Sequence, residues 1–409
     1  MPTLENNWFR RFILFTVYMI ETIITVVTLS YFPLLFNSLG LDSRLYGIFG
    51  GLSLLPMIFK FFIGPISDKF PIPFLRGKRR GYFILGGLLN IIFLPLLSLN
   101  PLDFFALFFI IWFLQTLGIA IMDVMTDTLV ITAKPSQNLR GRTGASIWVF
   151  FGIFVGGGLA TGLVGLLNMN LLIGLSVFSL ISVGPLALIY FLKEDPKLSQ
   201  PTPSLWSDIK RNFGGPQQQF VIAGLIFAFL LNIDAGLLEL TLEPFIATTF
   251  LVTWQELIAT LFFISLLGTV LGFLGYFFID KVQKNRLLII ISSIYIVPSI
   301  ILAYLIFTGM LTYPIFLILY AIYGFVSGLS FVTYTGLFYD LSDPKAAGTM
   351  IALFLTMSNF GIVMGVTIGG FFPMWLIYVI VAIICGLRII PLAFIKMSHI
   401  EKTFYQEEE

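Results

Sequence analysis

Residues 64–80, GPISDKFPIPFLRGKRR, join two apolar stretches and decide the fold of this chain. An Asp at the end of one apolar run is followed by a cluster of Lys and Arg. A shorter version of the same pattern recurs at residues 275–286, GYFFIDKVQKNR. Each copy lies between the second and third apolar runs of its half of the chain, so the sequence predicts an internal duplication.

The composition around these segments is that of a membrane protein. Of the 409 residues, 58% are hydrophobic and 11% are charged, whereas soluble domains average roughly 45–50% and 25%. A helix needs about 20 apolar residues to cross a bilayer, so the chain has room for about twelve spans with short connections. We therefore predict an all-α polytopic membrane protein with twelve transmembrane helices in two pseudo-symmetric six-helix bundles.

Basic residues are concentrated in every second connection. Arg44 is the only one assigned to the outer side, Lys60 is the only one inside a span, and Arg388 lies near the inner end of the last span. Because Lys and Arg accumulate on the cytoplasmic side of membrane proteins, both termini are predicted to be cytoplasmic. The expected location is the cell (inner) membrane.

The longest connection is polar and rich in Pro and Gly, which excludes it from hydrocarbon. It divides the spans six and six. The predicted domains are an N-terminal bundle at 1–192, a cytoplasmic linker at 193–218, a C-terminal bundle at 219–396 and a cytoplasmic tail at 397–409.

Several functional classes are disfavoured by what the sequence contains. Cys385 is the only cysteine and His399 the only histidine, which argues against metal and redox sites. No phosphate-binding glycine loop, zinc spacing or nucleophile elbow is visible. We expect no enzyme activity, no cofactor, no metal and no nucleic-acid partner, and we expect a monomer that contacts lipid, a small-molecule substrate and a proton, with sodium as the alternative ion.

The repeated Asp-plus-basic loop resembles the signature of the major facilitator superfamily, and the resemblance covers the whole chain. Residues 59–84, FKFFIGPISDKFPIPFLRGKRRGYFI, are similar to the AmpG-like muropeptide permeases, as are MDVMTDTLV at 122–130 and NIDAGLLELTLEPFI at 232–246. The acetyl-CoA and folate-biopterin transporters resemble the chain in the same places. The resemblance implies the major facilitator fold, alternating access with proton coupling and, for the AmpG-like branch, an anhydro-muropeptide cargo. Glu21, Glu239 and Glu243 depart from that branch and leave the cargo open.

Charged residues within the first-half spans are candidates for substrate binding or ion coupling. Glu21 lies about ten residues into the first span, hence about 15 Å deep, and is either a protonatable coupling group or a hydrogen-bonded acid between helices. Lys60 matches Asp123 and Asp127 in depth, and it can pair with either acid if the second and fourth spans are adjacent. Such a pair is either a fixed structural bridge or a switch opened by a proton or an anionic substrate.

In the second half, the seventh span carries the main candidates. Asp234 approaches the midplane where Asn232 interrupts the apolar run, and interrupted helices often mark transporter binding sites. Glu239 and Glu243 are four residues apart and are predicted to share one helix face. Tyr334 of the tenth span and Asn359 of the eleventh are predicted to line the cavity.

A third group lies at the cytoplasmic edge. Charge pairs there are predicted to close the inner face when the cavity opens outward, although basic loops are expected inside regardless of gating. The predicted gate consists of Asp68, Arg79, Arg80, Arg142, Asp280 and Arg286.

These features predict a secondary active transporter that works by alternating access, with proton-coupled symport of a small polar or amphipathic solute, AmpG-like and either a muropeptide or sugar-containing. One alternative is a cation-coupled sugar symporter, favoured by acids one helical turn apart at Asp123 and Asp127. Another is a non-transporting membrane receptor or assembly factor.

Overall fold

The computed structural model describes residues 7–70, 72, 78–131, 148–149, 151–160, 170–190, 213, 218–279, 283–341 and 347–395. Contacts divide the chain into two compact units, Met1–Leu41 with Phe49–Ser204, and Asp42–Ile48 with Leu205–Glu409. The domain boundaries drawn from the sequence at 1–192, 193–218, 219–396 and 397–409 stay a prediction.

The regular structure of the described residues in the first half is helical. The helices of spans one to six are Asn7–Thr25, the π-helical Val26–Tyr31 and Phe32–Ser38; Ser43–Ser53, Leu55–Ile58 and Lys60–Lys69; Lys78–Leu96; Phe105–Ile131; Phe151–Ala160; and Leu171–Ile181 with Val183–Tyr190. Pro56 lies just after the first break of the second span, which is at Leu54, where a missing backbone N–H ends the preceding helix.

The described residues of the second half follow the same plan. The helices of spans seven to twelve are Gln218–Leu231, Ile233–Glu239 and Leu242–Phe250; Trp254–Ile279; Lys284–Phe307; Tyr313–Asp340; Ala347–Gly369; and Met374–Phe394. The seventh span is thus broken twice, whereas the other five are continuous within their described bounds.

The helices have membrane character in length and surface. Within the described ranges, eight helical segments are long and apolar enough to cross a bilayer, and three further segments are apolar but shorter. Large side chains such as Ile300 and Phe263 lie exposed on them, which is expected where lipid is the solvent. The predicted all-α polytopic fold is confirmed.

Glycines bring the fifth span against the first. A Cβ at Gly152 would lie 2.4 Å from the Phe15 carbonyl oxygen, and one at Gly156 would lie 2.3 Å from that of Met19. Real Cβ atoms do not approach an oxygen this closely, so only glycine fits. Small residues of this kind are the usual means of close helix packing in membranes.

The seventh and eleventh spans repeat this arrangement in the second half. A Cβ at Gly361 would lie 2.2 Å from the Phe229 oxygen, one at Gly365 would lie 2.4 Å from the Ile233 oxygen, and Gly236 meets the eleventh span in the same way. Spans one and five of the first half correspond in order to spans seven and eleven. The internal repeat therefore extends from the loops into the packing of the helices.

Candidate functional site

A buried ion pair joins the second and fourth spans of the first unit. The ammonium of Lys60, at the start of helix Lys60–Lys69, bonds Oδ2 of Asp123. Both residues are buried, at 8% and 6% exposure. A lysine and a carboxylate taken out of water in this way lose hydration that their mutual attraction must replace.

One carboxylate oxygen of Asp123 can accept further hydrogen bonds. Its Oδ1 is buried and has no hydrogen-bond partner among the described residues. A carboxylate can accept about four hydrogen bonds, and an unmet buried acceptor costs about 1–3 kcal/mol. The carboxylate is therefore held chiefly by Lys60, and a proton or a solute donor has an oxygen to bind.

Glu21 lies beside a small cavity of the same unit. The cavity is lined by Val17, Ile20, Glu21, Asn90, Ile119 and Met122. Met122 precedes the ion-paired Asp123 and also receives a hydrogen bond from Asn90, whose Nδ2 lies 3.3 Å from the Met122 sulfur. Two acids from the predicted site thus lie on spans that pack around one cavity region.

Amides extend this polar region away from the acids. The Nε2 of Gln115 donates to Oδ1 of Asn90 at 3.0 Å, and both side chains are fully buried. The Oε1 of Gln115 has no hydrogen-bond partner within the described part of the chain. Sequence reasoning missed both amides, although an Asn and a Gln within apolar spans were a visible signal.

In the second unit, Asp234 pairs with Arg388 of the twelfth span. Arg388 is 3% exposed. Its Nε donates to the Leu230 oxygen at 3.0 Å and its Nη2 to the Leu231 oxygen. The sequence placed Arg388 near the inner end of its span, and the structure buries it at the break in the seventh span.

Two tyrosines of the same unit, Tyr295 and Tyr323, lie close enough to Asp234 to interact with it electrostatically. The hydroxyl of Tyr295 donates to the Tyr323 carbonyl oxygen at 3.3 Å, and the Tyr323 hydroxyl shares a hydrogen bond with Ser299. The Tyr323 ring lies 6.4 Å from that of Tyr378. A tyrosine layer from spans nine, ten and twelve thus packs near the arginine.

One predicted relation is wrong. Glu239 and Glu243 do not share a helix face, because helix Ile233–Glu239 ends at Glu239 and the next begins at Leu242. Thr241, with φ −115°, separates them. Both residues are half-buried. Pro244 follows the break, but no glycine marks it in the sequence.

Tyr334 and Asn359 lie in the same unit as Asp234. Tyr334 is half-buried between the rings of Phe331 and Phe338, at 5.4 Å and 5.5 Å between centroids. Asn359 is also half-buried and follows Ser358. The Nδ2 of Asn232, at the break of the seventh span, donates to Oγ of Ser358.

The predicted gate residues are described only in part. Arg80 donates from Nη1 to the Tyr190 oxygen at 3.2 Å, and Arg286 is exposed. Arg142 and Asp280 lie outside the described residues. The side chains of Asp68, Arg79 and Asp127 lie outside them as well, although their backbones are helical.

A charge pair that the sequence analysis did not single out lies at this edge. The Nζ of Lys284, at the start of the ninth span, bonds Oδ2 of Asp340 at the end of the tenth at 2.8 Å. Its aliphatic stem packs on Gly336, where a Cβ would lie 3.1 Å from Cε. The position of Lys284 in the repeated basic loop was the available signal.

Comparisons with known proteins place this geometry in context. A family model described as the Major Facilitator Superfamily matches residues 12–366. A search among curated proteins found no match.

Three solved structures resemble the fold over nearly its full length. They are a D-xylose-proton symporter (TM-score 0.75, 12% identity, 96% of this chain and 99% of that one), the human organic anion transporter MFSD10 (0.71, 13%, 96% and 100%) and the nucleoside transporter NupG (0.67, 15%, 98% and 99%). At these identities the likeness establishes the fold alone.

Proposed function

The chain belongs to the major facilitator superfamily, and on that premise we propose that it is a secondary active transporter that uses a proton gradient to move a small polar or amphipathic solute by alternating access. A multi-pass membrane protein with this fold takes a small-molecule substrate. Coupling of transport to protons depends on the charged residues within the spans.

The observation that carries the proposal is the Lys60–Asp123 pair. An ionisable pair within membrane-spanning helices is costly and marks function more often than structure. Since Asp123 keeps one buried oxygen without a partner among the described residues, it has a place for a proton. Protonation removes the negative charge that holds Lys60, and the second and fourth spans are then released from each other.

Glu21 is the second coupling group in this proposal. It lines the cavity bordered by Met122, next in sequence to Asp123. A proton on Glu21 would let its carboxyl donate to a solute hydroxyl or amide, which an ionised carboxylate cannot do. Solute binding and protonation at Glu21 would then favour each other, as symport requires.

The solute class is proposed from chemistry and resemblance together. The amides of Asn90 and Gln115 beside the acids suit a solute rich in hydroxyl or amide groups. The AmpG-like resemblance of residues 59–84 favours a muropeptide or another sugar-containing solute. Among the structural neighbours, one is a D-xylose-proton symporter and another a nucleoside transporter, which is compatible with this class.

In the second unit, Glu239, Tyr334 and Asn359 are the proposed solute contacts, and Asp234 supports them.

We propose that the protein lies in the cell (inner) membrane as a monomer, with both termini on the cytoplasmic side. Asp68, Arg79, Arg80, Arg142, Asp280 and Arg286 remain the proposed cytoplasmic gate, to which we add the Lys284–Asp340 pair.

Uptake into proteoliposomes with an imposed pH gradient tests the proposal. One pH unit is worth about 1.4 kcal/mol, so one proton per solute supports about tenfold accumulation. The solutes used are radiolabelled D-xylose, uridine and an anhydro-muropeptide. Wild type is expected to accumulate one of them, whereas Asp123→Asn and Glu21→Gln are expected to equilibrate it without accumulation.

The matched control is Asp103→Asn, since Asp103 is an exposed acid held by Asn100 at 2.8 Å, and it should accumulate solute like wild type. Accumulation by both coupling variants would reject proton coupling through these acids. Accumulation that follows sodium and ignores pH would support the cation-coupled sugar symporter. Tight binding of a solute with no flux would support the receptor alternative.

A further inference from the structure

The break in the seventh span leaves backbone groups without their helical partners. Helix Gln218–Leu231 ends before Asn232, whose φ of −119° and ψ of 10° are not helical. In a continuous helix the N–H of Ala235 would bond the Leu231 oxygen. Here that N–H donates to Oδ1 of Asp234 at 2.8 Å instead, so the Leu231 oxygen needs another donor.

Arg388 supplies the missing donors. Its Nε bonds the Leu230 oxygen at 3.0 Å, and its Nη2 bonds both the Leu231 oxygen and Asp234. The third nitrogen, Nη1, lies 3.7 Å from the Cys385 sulfur. A planar guanidinium with five fixed donors can serve two carbonyls and a carboxylate at once, which a lysine ammonium on a flexible stem cannot.

We propose that Arg388 is a positioning residue that fixes the break of the seventh span and thereby the orientation of helix Ile233–Glu239. That short helix is held on a second side, where Gly365 of the eleventh span packs on the Ile233 oxygen. Glu239, a proposed solute contact, ends the helix. Held by the twelfth span at one end and the eleventh along its side, the helix keeps one geometry while the unit moves as a whole.

Hydrogen exchange of the protein in nanodiscs tests this without any solute. Amides of residues 230–239 are expected to exchange about tenfold faster or more in Arg388→Lys and Arg388→Gln than in wild type. Asp234→Asn keeps the guanidinium on both carbonyls and should change the same amides about threefold or less. Arg44→Lys, at an exposed position of the second span, is the matched control and should exchange like wild type.

Two results would overturn the proposal. One is wild-type exchange in Arg388→Lys, which would reduce Arg388 to a counter-charge that any cation replaces. The other is faster exchange in Asp234→Asn than in Arg388→Lys, which would make the carboxylate the fixing group. If Arg388→Gln does not fold, the comparison of Arg388→Lys with Asp234→Asn decides.

Uptake kinetics give a second readout that rests on the proposed function. With radiolabelled D-xylose or uridine, whichever wild type takes up, Arg388→Lys should raise KM and leave the maximal rate unchanged, because the contact is misplaced and the coupling acids are intact. A fall in the maximal rate as large as the rise in KM would contradict the positioning role of Arg388. If wild type takes up neither probe, the proposed function fails on these solutes and hydrogen exchange alone decides the role of Arg388.

Discussion

Each unit holds an ion pair well inside its spans, and these two pairs are held differently. In the first unit, Lys60 meets Asp123, one of whose oxygens has no partner among the described residues. In the second unit, Asp234 receives an N–H from its own helix, and Arg388 bonds two carbonyls as well as the acid.

The difference separates a pair that joins two side chains only through each other from a pair whose arginine also holds the backbone. Opening the first contact with a proton breaks a bond between two side chains. Moving Arg388 away from the second contact also leaves the carbonyls of Leu230 and Leu231 without its donors, at about 1–3 kcal/mol each. The same chemistry therefore suits a switch in one unit and a fixed support in the other.

The sharpest way to break this comparison is to replace each pair by apolar residues of similar size. Removing a buried pair in this way is often neutral or stabilising by about 1–4 kcal/mol. We expect that for Lys60→Met with Asp123→Leu. Arg388→Met with Asp234→Leu should be about 2–6 kcal/mol less stable than that variant, because two carbonyls lose their donors.

Thermal unfolding of both double variants in the same detergent measures the contrast. The first-unit variant is also expected to lose gradient-driven uptake despite its stability. Equal stability of the two double variants would mean that the carbonyl bonds of Arg388 contribute nothing, and the distinction between switch and support would fall.

Substitution of the packed glycines should have a smaller effect on stability, and it tests whether the two units pack their helices alike. Gly156→Ala and Gly365→Ala each place a Cβ within 2.4 Å of a backbone oxygen. Since overpacking costs about 1–3 kcal/mol, both variants should lose stability by similar amounts. Thermal unfolding of the two variants checks this.

Two glycines of the same chain serve as controls. A Cβ at Gly184 or Gly386 meets nothing within 4 Å, and alanine in a helix is favoured over glycine by roughly 0.5–1 kcal/mol. Gly184→Ala and Gly386→Ala should keep or gain stability. Loss of stability in only one of the two packed variants would show that spans one and five are not matched by spans seven and eleven.

The smallest expected effect lies at the cytoplasmic edge. Asp340→Asn removes the negative charge of a partly buried partner of Lys284 and should cost about 1–2 kcal/mol. Arg80→Gln removes a partly exposed bond to a carbonyl and should cost about 0.5 kcal/mol or less. Added salt should change the difference in stability between the two variants little, because the partly buried Lys284–Asp340 pair is poorly screened. If that difference vanishes at high salt in thermal unfolding, Asp340 lies at the surface.

The sequence predicted that Lys60 can pair with Asp123 or Asp127, for a simple physical reason. Lys60 lies eight residues before Asp68 and Asp123 lies eleven residues before Lys134. A helix rises 1.5 Å per residue, so similar counts from the same side gave similar depths. The fold was predictable for a related reason, because apolar length and loop charge are local properties of the chain.

The contacts of Arg388 were not predicted because its environment is not local. It lies eight residues before Lys396, where the positive-inside rule expects an arginine. Its partners Leu230 and Asp234 belong to the seventh span. Nothing near Arg388 in the sequence indicates that the seventh span is broken or that carbonyl oxygens at its break need hydrogen-bond donors. The break between Glu239 and Glu243 was missed likewise, because Leu240 and Thr241 are ordinary helix residues and only Pro244 follows.

The distance along the chain between Asp234 and Arg388 has a consequence for biosynthesis. The two residues are 154 positions apart, and ribosomes add about 5–20 residues per second. Some 8–30 s therefore pass between the synthesis of the acid and that of its arginine. During that interval the nascent seventh span carries a carboxylate that costs about 2.5–3.5 kcal/mol in hydrocarbon. A helix synthesised later thus completes the one that opens the second half.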